Sequence, residues 1–163
     1  MKSLLIAAVF ASIATSSVAA QATQAGKSEA SQATIAMPDN IKWGPAPAIL
    51  PAGAKAAILE GNPAEAGPFT LRLSLPPGYR IAPHYHPVPE HVTVISGAFY
   101  VGMGETFDAA KTTKLPAGTF GVLPPDMRHF AMTKGRTVIQ LHGVGPWSLV
   151  YVNPADDPRT KTK

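Results

Sequence analysis

The stretch Gly78-Tyr-Arg-Ile-Ala-Pro-His-Tyr-His-Pro-Val-Pro-Glu-His-Val-Thr-Val-Ile-Ser-Gly97 carries the residue spacing that decides the fold of this 163-residue chain. His84 and His86 are two positions apart, so both imidazoles can point to one face of a strand. The two prolines that follow cannot donate to a strand ladder, and a turn there can bring Glu90 back toward the imidazoles. Two imidazole nitrogens and a carboxylate oxygen on one face suit a divalent first-row metal.

A second segment, residues 118–133, supplies a further histidine. It contains a glycine, a short apolar strand, a proline turn and then His129, which makes His129 the natural fourth ligand of the site. Together the two segments resemble the paired motifs of the cupin family. The positions that match the family are Gly78, His84, His86, Glu90 and Gly97 in the first motif and Gly118, Pro124 and His129 in the second.

The second motif departs from the family at two positions. Asp126 stands where the family usually has glycine, and Thr133 stands where it usually has asparagine. Aspartate tolerates a positive φ better than most residues, so we expect Asp126 to keep the turn. Neither departure is at a ligand position. The sequence therefore predicts one divalent transition metal (Fe, Mn, Ni or Zn), held by His84, His86, Glu90 and His129. The alternative is a degenerate barrel that binds metal weakly or not at all.

Hydrophobic periodicity favours an all-β domain. Residues 69–75 alternate apolar and polar side chains, which is typical of a half-buried strand. Short apolar segments separated by Gly and Pro recur over residues 54–153, a pattern that predicts a small antiparallel barrel or sandwich. The family resemblance implies a single-domain cupin-type β-barrel, or jelly roll. We expect residues 92–97 and 99–101 to form a hairpin, and residues 105–111 to form a short helix or a loop.

The N-terminal residues 1–20 have the composition of a signal peptide. They combine Lys2, a short apolar stretch and small residues at positions 18–20; an uncleaved N-terminal anchor is the alternative. No cysteine follows, so the pattern excludes a lipoprotein anchor. We therefore expect a bacterial protein that is periplasmic or secreted, without a stable membrane anchor.

Two further segments flank the predicted barrel. Residues 21–53 form a flexible Ala/Gln/Ser lead and then a Pro-rich arm, which either lies on the barrel or reaches a neighbouring subunit. Residues 154–163 form a polar tail. A free sheet edge, the Pro-rich arm and the apolar Trp43 are features that favour a homodimer.

The composition limits which chemical groups the chain can use and which partners it can bind. The chain has no cysteine, so neither a disulfide nor a thiolate is available. The formal net charge is +4, and much of the excess lies in the tail. The barrel region has no basic run with interleaved aromatic residues, so we expect a small-molecule ligand and no nucleic-acid partner.

Four further side chains are candidates for the site. Gln140 and His142 share a face if their strand is regular. They either line the cavity, with Gln140 binding substrate and His142 serving as an acid–base or substrate-binding group, or they face solvent. If its strand alternates regularly, Arg80 points to the same face as His84 and would bind a substrate carboxylate. A solvated arginine is the alternative. Trp147 either covers a mouth of the barrel or packs under it.

The predicted ligand set leaves coordination positions open but does not select a reaction. In the cupin family such ligands occur in dioxygenases, decarboxylases, isomerases and lyases, and in barrels that only bind. Our first hypothesis is an exported metalloenzyme acting on a small organic molecule, with a dioxygenase-like reaction favoured and Glu90 as a candidate base. The alternatives are a non-redox lyase or isomerase, a non-catalytic barrel that binds a small ligand or a metal, and a barrel whose metal supports folding.

Overall fold

The computed structural model describes residues 33–160. The predicted signal peptide, residues 21–32 of the lead and the last three residues of the tail lie outside this range. Within it, eleven strands form two antiparallel sheets, and four short 3-10 helices lie in the connections. None of the described helices is long and apolar enough to cross a bilayer.

The larger sheet has six strands and the smaller sheet has five. In spatial order the larger sheet contains β1 (Gly44–Pro45), β2 (Lys55–Glu60), β3 (Gly67–Leu75), β10 (Thr137–Gly145), β5 (Glu90–Ser96) and β8 (Phe120–Leu123). The smaller sheet contains β11 (Val150–Tyr151), β4 (Arg80–Tyr85), β9 (His129–Thr133), β6 (Ala98–Met103) and β7 (Thr113–Pro116). The 3-10 helices are Pro38–Asn40, Ala109–Lys111, Pro154–Asp156 and Pro158–Thr160. The predicted all-β fold class is confirmed.

The core lies between the two sheets, because alternate side chains of each strand point inward. On β3, four alternate apolar side chains are at most 2% exposed, namely Phe69, Leu71, Leu73 and Leu75. The predicted strand over residues 69–75 is therefore confirmed. The opposing sheet contributes Ile81, Phe99, Val101 and Ala131 to the same core.

The predicted hairpin between residues 92–97 and 99–101 is wrong. β5 pairs with β10 and β8, whereas β6 pairs with β7 and β9, so the two strands belong to different sheets. The chain passes from the larger to the smaller sheet at Gly97. This residue has a φ of +76°, a conformation that glycine adopts without steric cost. Any side chain at this position would collide with the carbonyl oxygen of Arg136. The glycine therefore turns the chain from one sheet to the other.

An irregularity in β4 decides which of its side chains face the core. Ile81 pairs with Ala131 but His84 pairs with His129, so the register shifts between these two pairs. Pro83 lies within the shift and has no N–H to donate to the ladder. Ile81 and His84 are consequently both buried, although regular alternation would place them on opposite faces.

The Pro-rich arm lies on the barrel over residues 44–51. Its strand β1 pairs with β2, and Leu50 is 4% exposed within the core. The hydroxyl of Tyr151 donates to the carbonyl oxygen of Ile49 (2.8 Å). Of the two alternatives for the arm, residues 44–51 therefore follow the first and pack on the barrel. Trp43, just before them, is 37% exposed.

Thr133, the residue that replaces the family asparagine, ties β9 to the turn between β3 and β4. Its side chain is fully buried. The hydroxyl donates to the carbonyl oxygen of Pro76 (2.6 Å) and accepts from the backbone N–H of Tyr79 (3.1 Å). The backbone of Thr133 adds two hydrogen bonds to the same turn, one from Gly78 and one to Tyr79. The threonine therefore holds this turn in place.

Replacing Thr133 with valine keeps the shape of the side chain but removes both hydrogen bonds of the hydroxyl. We expect Thr133→Val to lower the free energy of unfolding by about 1–3 kcal/mol, because buried polar backbone groups each lose a partner. Urea denaturation followed by circular dichroism measures the change. Thr93→Val, on the outer face of β5, is the matched control and should change stability by less than about 0.5 kcal/mol. Equal losses in the two variants would contradict the role of Thr133.

Candidate metal centre

Three buried histidines and a glutamate meet between the two sheets. His84 lies in β4 and His86 directly follows it, while His129 begins β9 and Glu90 begins β5. Each imidazole offers a nitrogen that lies within 4.8 Å of the nitrogens of the other two. The three histidines are at most 3% exposed. The structure therefore brings together the four residues that the two sequence motifs singled out.

The turn that precedes His129 is tied to the first motif. Asp126 has a φ of +61°, so the expectation that aspartate keeps this turn is confirmed. The N–H of Asp126 donates to the carbonyl oxygen of His86 (2.8 Å). This hydrogen bond fixes the start of β9 beside the histidine pair of the first motif.

Backbone carbonyl groups orient all three imidazoles. The Nδ1 atoms of His84, His86 and His129 lie 2.7, 2.7 and 2.9 Å from the carbonyl oxygens of Ala82, Ser148 and Met127. A carbonyl oxygen can only accept, so each Nδ1 carries the hydrogen and donates it. In its neutral form each imidazole then presents its Nε2 lone pair as a potential ligand, which is the arrangement that metal-binding histidines usually have.

Glu90 lies between two of these Nε2 atoms. Its carboxylate oxygens are 3.5 Å from His86 Nε2 and 3.6 Å from His129 Nε2. When both rings are neutral with the hydrogen on Nδ1, lone pairs on nitrogen face lone pairs on oxygen, and the buried Nε2 of His86 has no hydrogen-bond partner among the described residues. A cation between these atoms would satisfy all of them. The donor set therefore fits a divalent metal.

The local electrostatics favour the protonation states that bind a metal. Burial, together with the neighbouring His129 and His86, lowers the pKa of His84 to about 3. Burial likewise lowers the pKa of His86. Burial alone would raise the pKa of Glu90, but interaction with His129 and His86 in their protonated forms outweighs it and lowers that pKa. Neutral imidazoles beside an ionised carboxylate are the ligand forms that a metal requires.

The four side chains line a small cavity with apolar walls. The remaining lining residues are Leu50, Leu73, Ile81, Val92, Phe99, Val101, Leu123, Ala131, Ile139, Leu141, Trp147 and Leu149. The cavity has a volume of about 20 Å³, and about 10–15 Å³ is enough for one water molecule. In this conformation the cavity has room for an ion and very little else.

Trp147 is the aromatic residue closest to the histidines in this wall. Its indole stacks on the imidazole of His86, with ring centroids 5.2 Å apart and an interplanar angle of 21°. The adjacent Ser148 supplies the carbonyl oxygen that orients His86. The sequence predicted that Trp147 covers a mouth of the barrel or packs under it. It could not predict the contact between Ser148 and His86, because a backbone carbonyl makes that contact and leaves no signal in the pattern of side chains.

Gln140 and His142 lie on the outer face of the larger sheet. Their neighbours Ile139 and Leu141 point into the core and line the cavity, so Gln140 and His142 point away from it. Gln140 accepts a hydrogen bond from Arg72 (3.0 Å). His142 stacks on His91 with ring centroids 4.8 Å apart. Their predicted roles inside the cavity are wrong, and the solvent-facing alternative holds.

Arg80 also lies outside the cavity. Regular alternation would have placed its side chain on the same face as that of His84, but the register shift in β4 turns it to the other face. Its exposed guanidinium lies 3.9 Å above the ring of Phe107, on the outer surface of the smaller sheet. The prediction that Arg80 binds a substrate carboxylate next to the metal ligands is therefore wrong for this cavity.

Comparisons with known proteins agree with the fold. Among solved structures, the chain is similar to a putative acetylacetone dioxygenase from Methylibium petroleiphilum PM1, with 25% identity and a TM-score of 0.60, over 81% of this chain and 88% of that chain. It is also similar to the polyketide cyclase RemF from Streptomyces resistomycificus, with 14% identity and a TM-score of 0.65, over 78% and 90% of the two chains. At that identity the likeness shows the fold alone.

A further solved structure, KdgF from Halomonas sp., shares the fold with 20% identity and a TM-score of 0.52, over 70% of this chain and 96% of that chain. A search of curated proteins gives no match. The family model of the ChrR cupin-like domain matches residues 31–148, which is well over half of the chain. The chain therefore belongs to the cupin superfamily, within the family of ChrR cupin-like domains.

Proposed function

We propose that this protein is a metal-dependent enzyme that acts on a small organic molecule, with oxygen-dependent, dioxygenase-like cleavage as the favoured reaction. The observation that carries the proposal is the convergence of three imidazole Nε2 atoms and one carboxylate on an apolar cavity. In this proposal the metal ligands are His84, His86, Glu90 and His129. When bound, Fe, Mn or Ni would polarise a substrate oxygen and support reaction with dioxygen, whereas Zn would supply only the first of these.

The similarity to the Methylibium petroleiphilum protein supports this choice of reaction. That protein is named for acetylacetone, a small uncharged 1,3-diketone, and the two chains are 25% identical over 81% of this chain. Apart from the four candidate ligands, the cavity walls here are apolar. Such walls suit an uncharged carbonyl compound better than a sugar or a phosphorylated substrate, because unpaired polar groups are costly to bury.

Glu90 has two roles in this proposal. Its side chain is 11% exposed, compared with 2% for the side chain of His86, so it is the least enclosed of the candidate ligands. An ionised carboxylate in this position can bind a metal or accept a proton from the carbon next to a substrate carbonyl. The protein would thus hold its general base beside the site where the substrate is polarised.

A second candidate function is a barrel that holds a metal without catalysis. The cavity volume of about 20 Å³ favours it, because a diketone does not fit beside an ion unless part of the wall moves. In this alternative the metal stabilises the fold, and its removal lowers the free energy of unfolding.

Export and self-association are further parts of the proposal. The composition of residues 1–20 supports export to the periplasm or the medium, and the mass of the mature protein would show whether that segment has been removed. The partly exposed Trp43 on the arm supports a homodimer. Size-exclusion chromatography over a range of concentrations tests the dimer, and a monomer at high micromolar concentration would contradict it.

Elemental analysis of the purified protein tests the metal site. We expect about one Fe, Mn or Ni per chain, and we expect that metal to be lost in His84→Ala and Glu90→Ala because each change removes a ligand. His142→Ala is the matched control and should keep its metal, since His142 lies on the outer face of the sheet. Full occupancy by Zn would favour the non-redox alternatives. No metal after reconstitution would contradict the proposal.

Oxygen uptake tests the favoured reaction. We expect the metal-loaded protein to consume dioxygen when acetylacetone is added, and we expect His129→Ala to reduce the rate by about 100-fold or more, because the metal is lost or mispositioned. An oxygen electrode measures the rate. Uptake that is equal in His129→Ala, or that is absent with a series of small 1,3-diketones, would rule out this reaction and leave the binding barrel.

Tryptophan fluorescence reports metal binding without any turnover. The chain has two tryptophans, and Trp147 stacks directly on His86. In Trp43→Phe, where Trp147 is the single fluorophore, we expect Co²⁺ or Ni²⁺ to quench most of the emission at one equivalent. In Trp147→Phe, emission from Trp43 should change little. Equal quenching in the two variants would show that the ion binds elsewhere.

A further inference from the structure

The cavity is bordered on one side by a groove on the outer surface. This outer groove is formed by residues 47–49, 63–64 and 147–148 together with Arg159. It has a volume of about 360 Å³, which falls within the range of about 300–1,000 Å³ that is usual for small-molecule sites. Trp147 lines both the outer groove and the metal cavity. Trp147, a partly buried side chain, is therefore shared by the two spaces.

The backbone on each side of the Trp147 side chain is fixed. The N–H of Trp147 donates to the carbonyl oxygen of Pro63 (2.7 Å), and the carbonyl oxygen of Ser148 accepts from His86 Nδ1 (2.7 Å). Both contacts would be broken if the loop moved as a whole. Rotation of the side chain alone would leave both hydrogen bonds intact.

The indole itself has no hydrogen bond that would resist rotation. Its Nε1 atom is buried and has no partner among the described residues. An unpartnered buried N–H is unfavourable, so turning the indole toward the outer groove would cost no hydrogen bond and would give the N–H access to water. What holds the ring in place is packing, including its stacking on His86.

The opposite wall of the cavity is built differently. Val92, Val101 and Leu123 separate the cavity from another surface depression. All three are at most 7% exposed, and each belongs to a strand whose backbone is held in a sheet. Opening this wall would require several packed side chains to move together.

From these contacts we propose that Trp147 is the gate and the size filter of the cavity: small, uncharged molecules enter from the outer groove when its indole turns away from His86. The inference deepens the proposed function and rests on it for the class of ligand. It explains how a cavity of about 20 Å³ can admit a molecule as large as a diketone. The prolines, alanines and isoleucine of the outer groove favour apolar ligands, and the guanidinium of Arg159 is already paired with Asp157 (2.6 Å).

Chemical labelling of the metal-free protein tests the gate without any catalysis. Diethylpyrocarbonate acylates neutral imidazole nitrogens, and peptide mass spectrometry measures the rate at each histidine. In the wild type we expect slow labelling of His86, with His142 on the outer face as the internal reference. In Trp147→Ala we expect His86 to be labelled about tenfold faster or more, because labelling of a buried group follows the population of its open state.

Two variants are matched controls for this experiment. Leu123→Ala thins the opposite wall, and Thr133→Val destabilises the fold away from the cavity; in both, the rate at His86 should stay within about twofold of the wild type, because the gate is unchanged. An unchanged rate in Trp147→Ala would overturn the proposal. Labelling that rises as much in Leu123→Ala would also overturn it and would place the entrance on the opposite side.

Ligand size gives a second readout in the metal-loaded protein. The absorption bands of bound Co²⁺ report the binding of acetylacetone and of the bulkier 1-phenylbutane-1,3-dione. We expect Trp147→Ala to raise the affinity for the bulky diketone relative to the small one by about tenfold. An unchanged ratio would contradict the size filter. If neither diketone binds but the labelling result holds, the gate stands and the diketone reaction is the part that fails.

Discussion

Three imidazoles are buried among apolar side chains, and the arrangement of the rest of the site follows from this constraint. A neutral imidazole has one N–H and one lone pair, and both need partners where water is excluded. The N–H groups of His84 and His129 find carbonyl oxygens two residues earlier in the chain, whereas His86 uses the more distant carbonyl of Ser148. Once these three hydrogen bonds are made, the lone pairs have only one another and Glu90 to face, and a cation completes the arrangement.

His86 connects more of the structure than the other two histidines do. Its ring contacts Trp147 on one side and lies near Glu90 on the other. Its Nδ1 donates to Ser148, and its own carbonyl oxygen accepts from Asp126. The loop before β11 and the turn before β9 are therefore both positioned through one residue, so the geometry of the ligands and the closure of the cavity are coupled.

The candidate ligands could be predicted because histidines and a carboxylate at this spacing, within otherwise apolar strands, are costly to bury unless they bind something. The face of each strand was less predictable, since it depends on partners that are distant in sequence. The shift at Pro83 moved Arg80 to the outside, and the position of β10 between β3 and β5 put His142 on the outer face. The turn at Gly97 could be predicted, but the direction of a turn depends on which sheet lies next to it.

The position of β10 in the larger sheet also bears on the order of folding. This strand lies near the end of the chain, yet it pairs with β3 on one side and β5 on the other. Until it has been synthesised, those two strands have open edges and the core lacks a central strand. Pairings between residues so far apart in sequence form slowly. The larger sheet of a newly made chain would therefore stay incomplete until β10 had been added between its two partners.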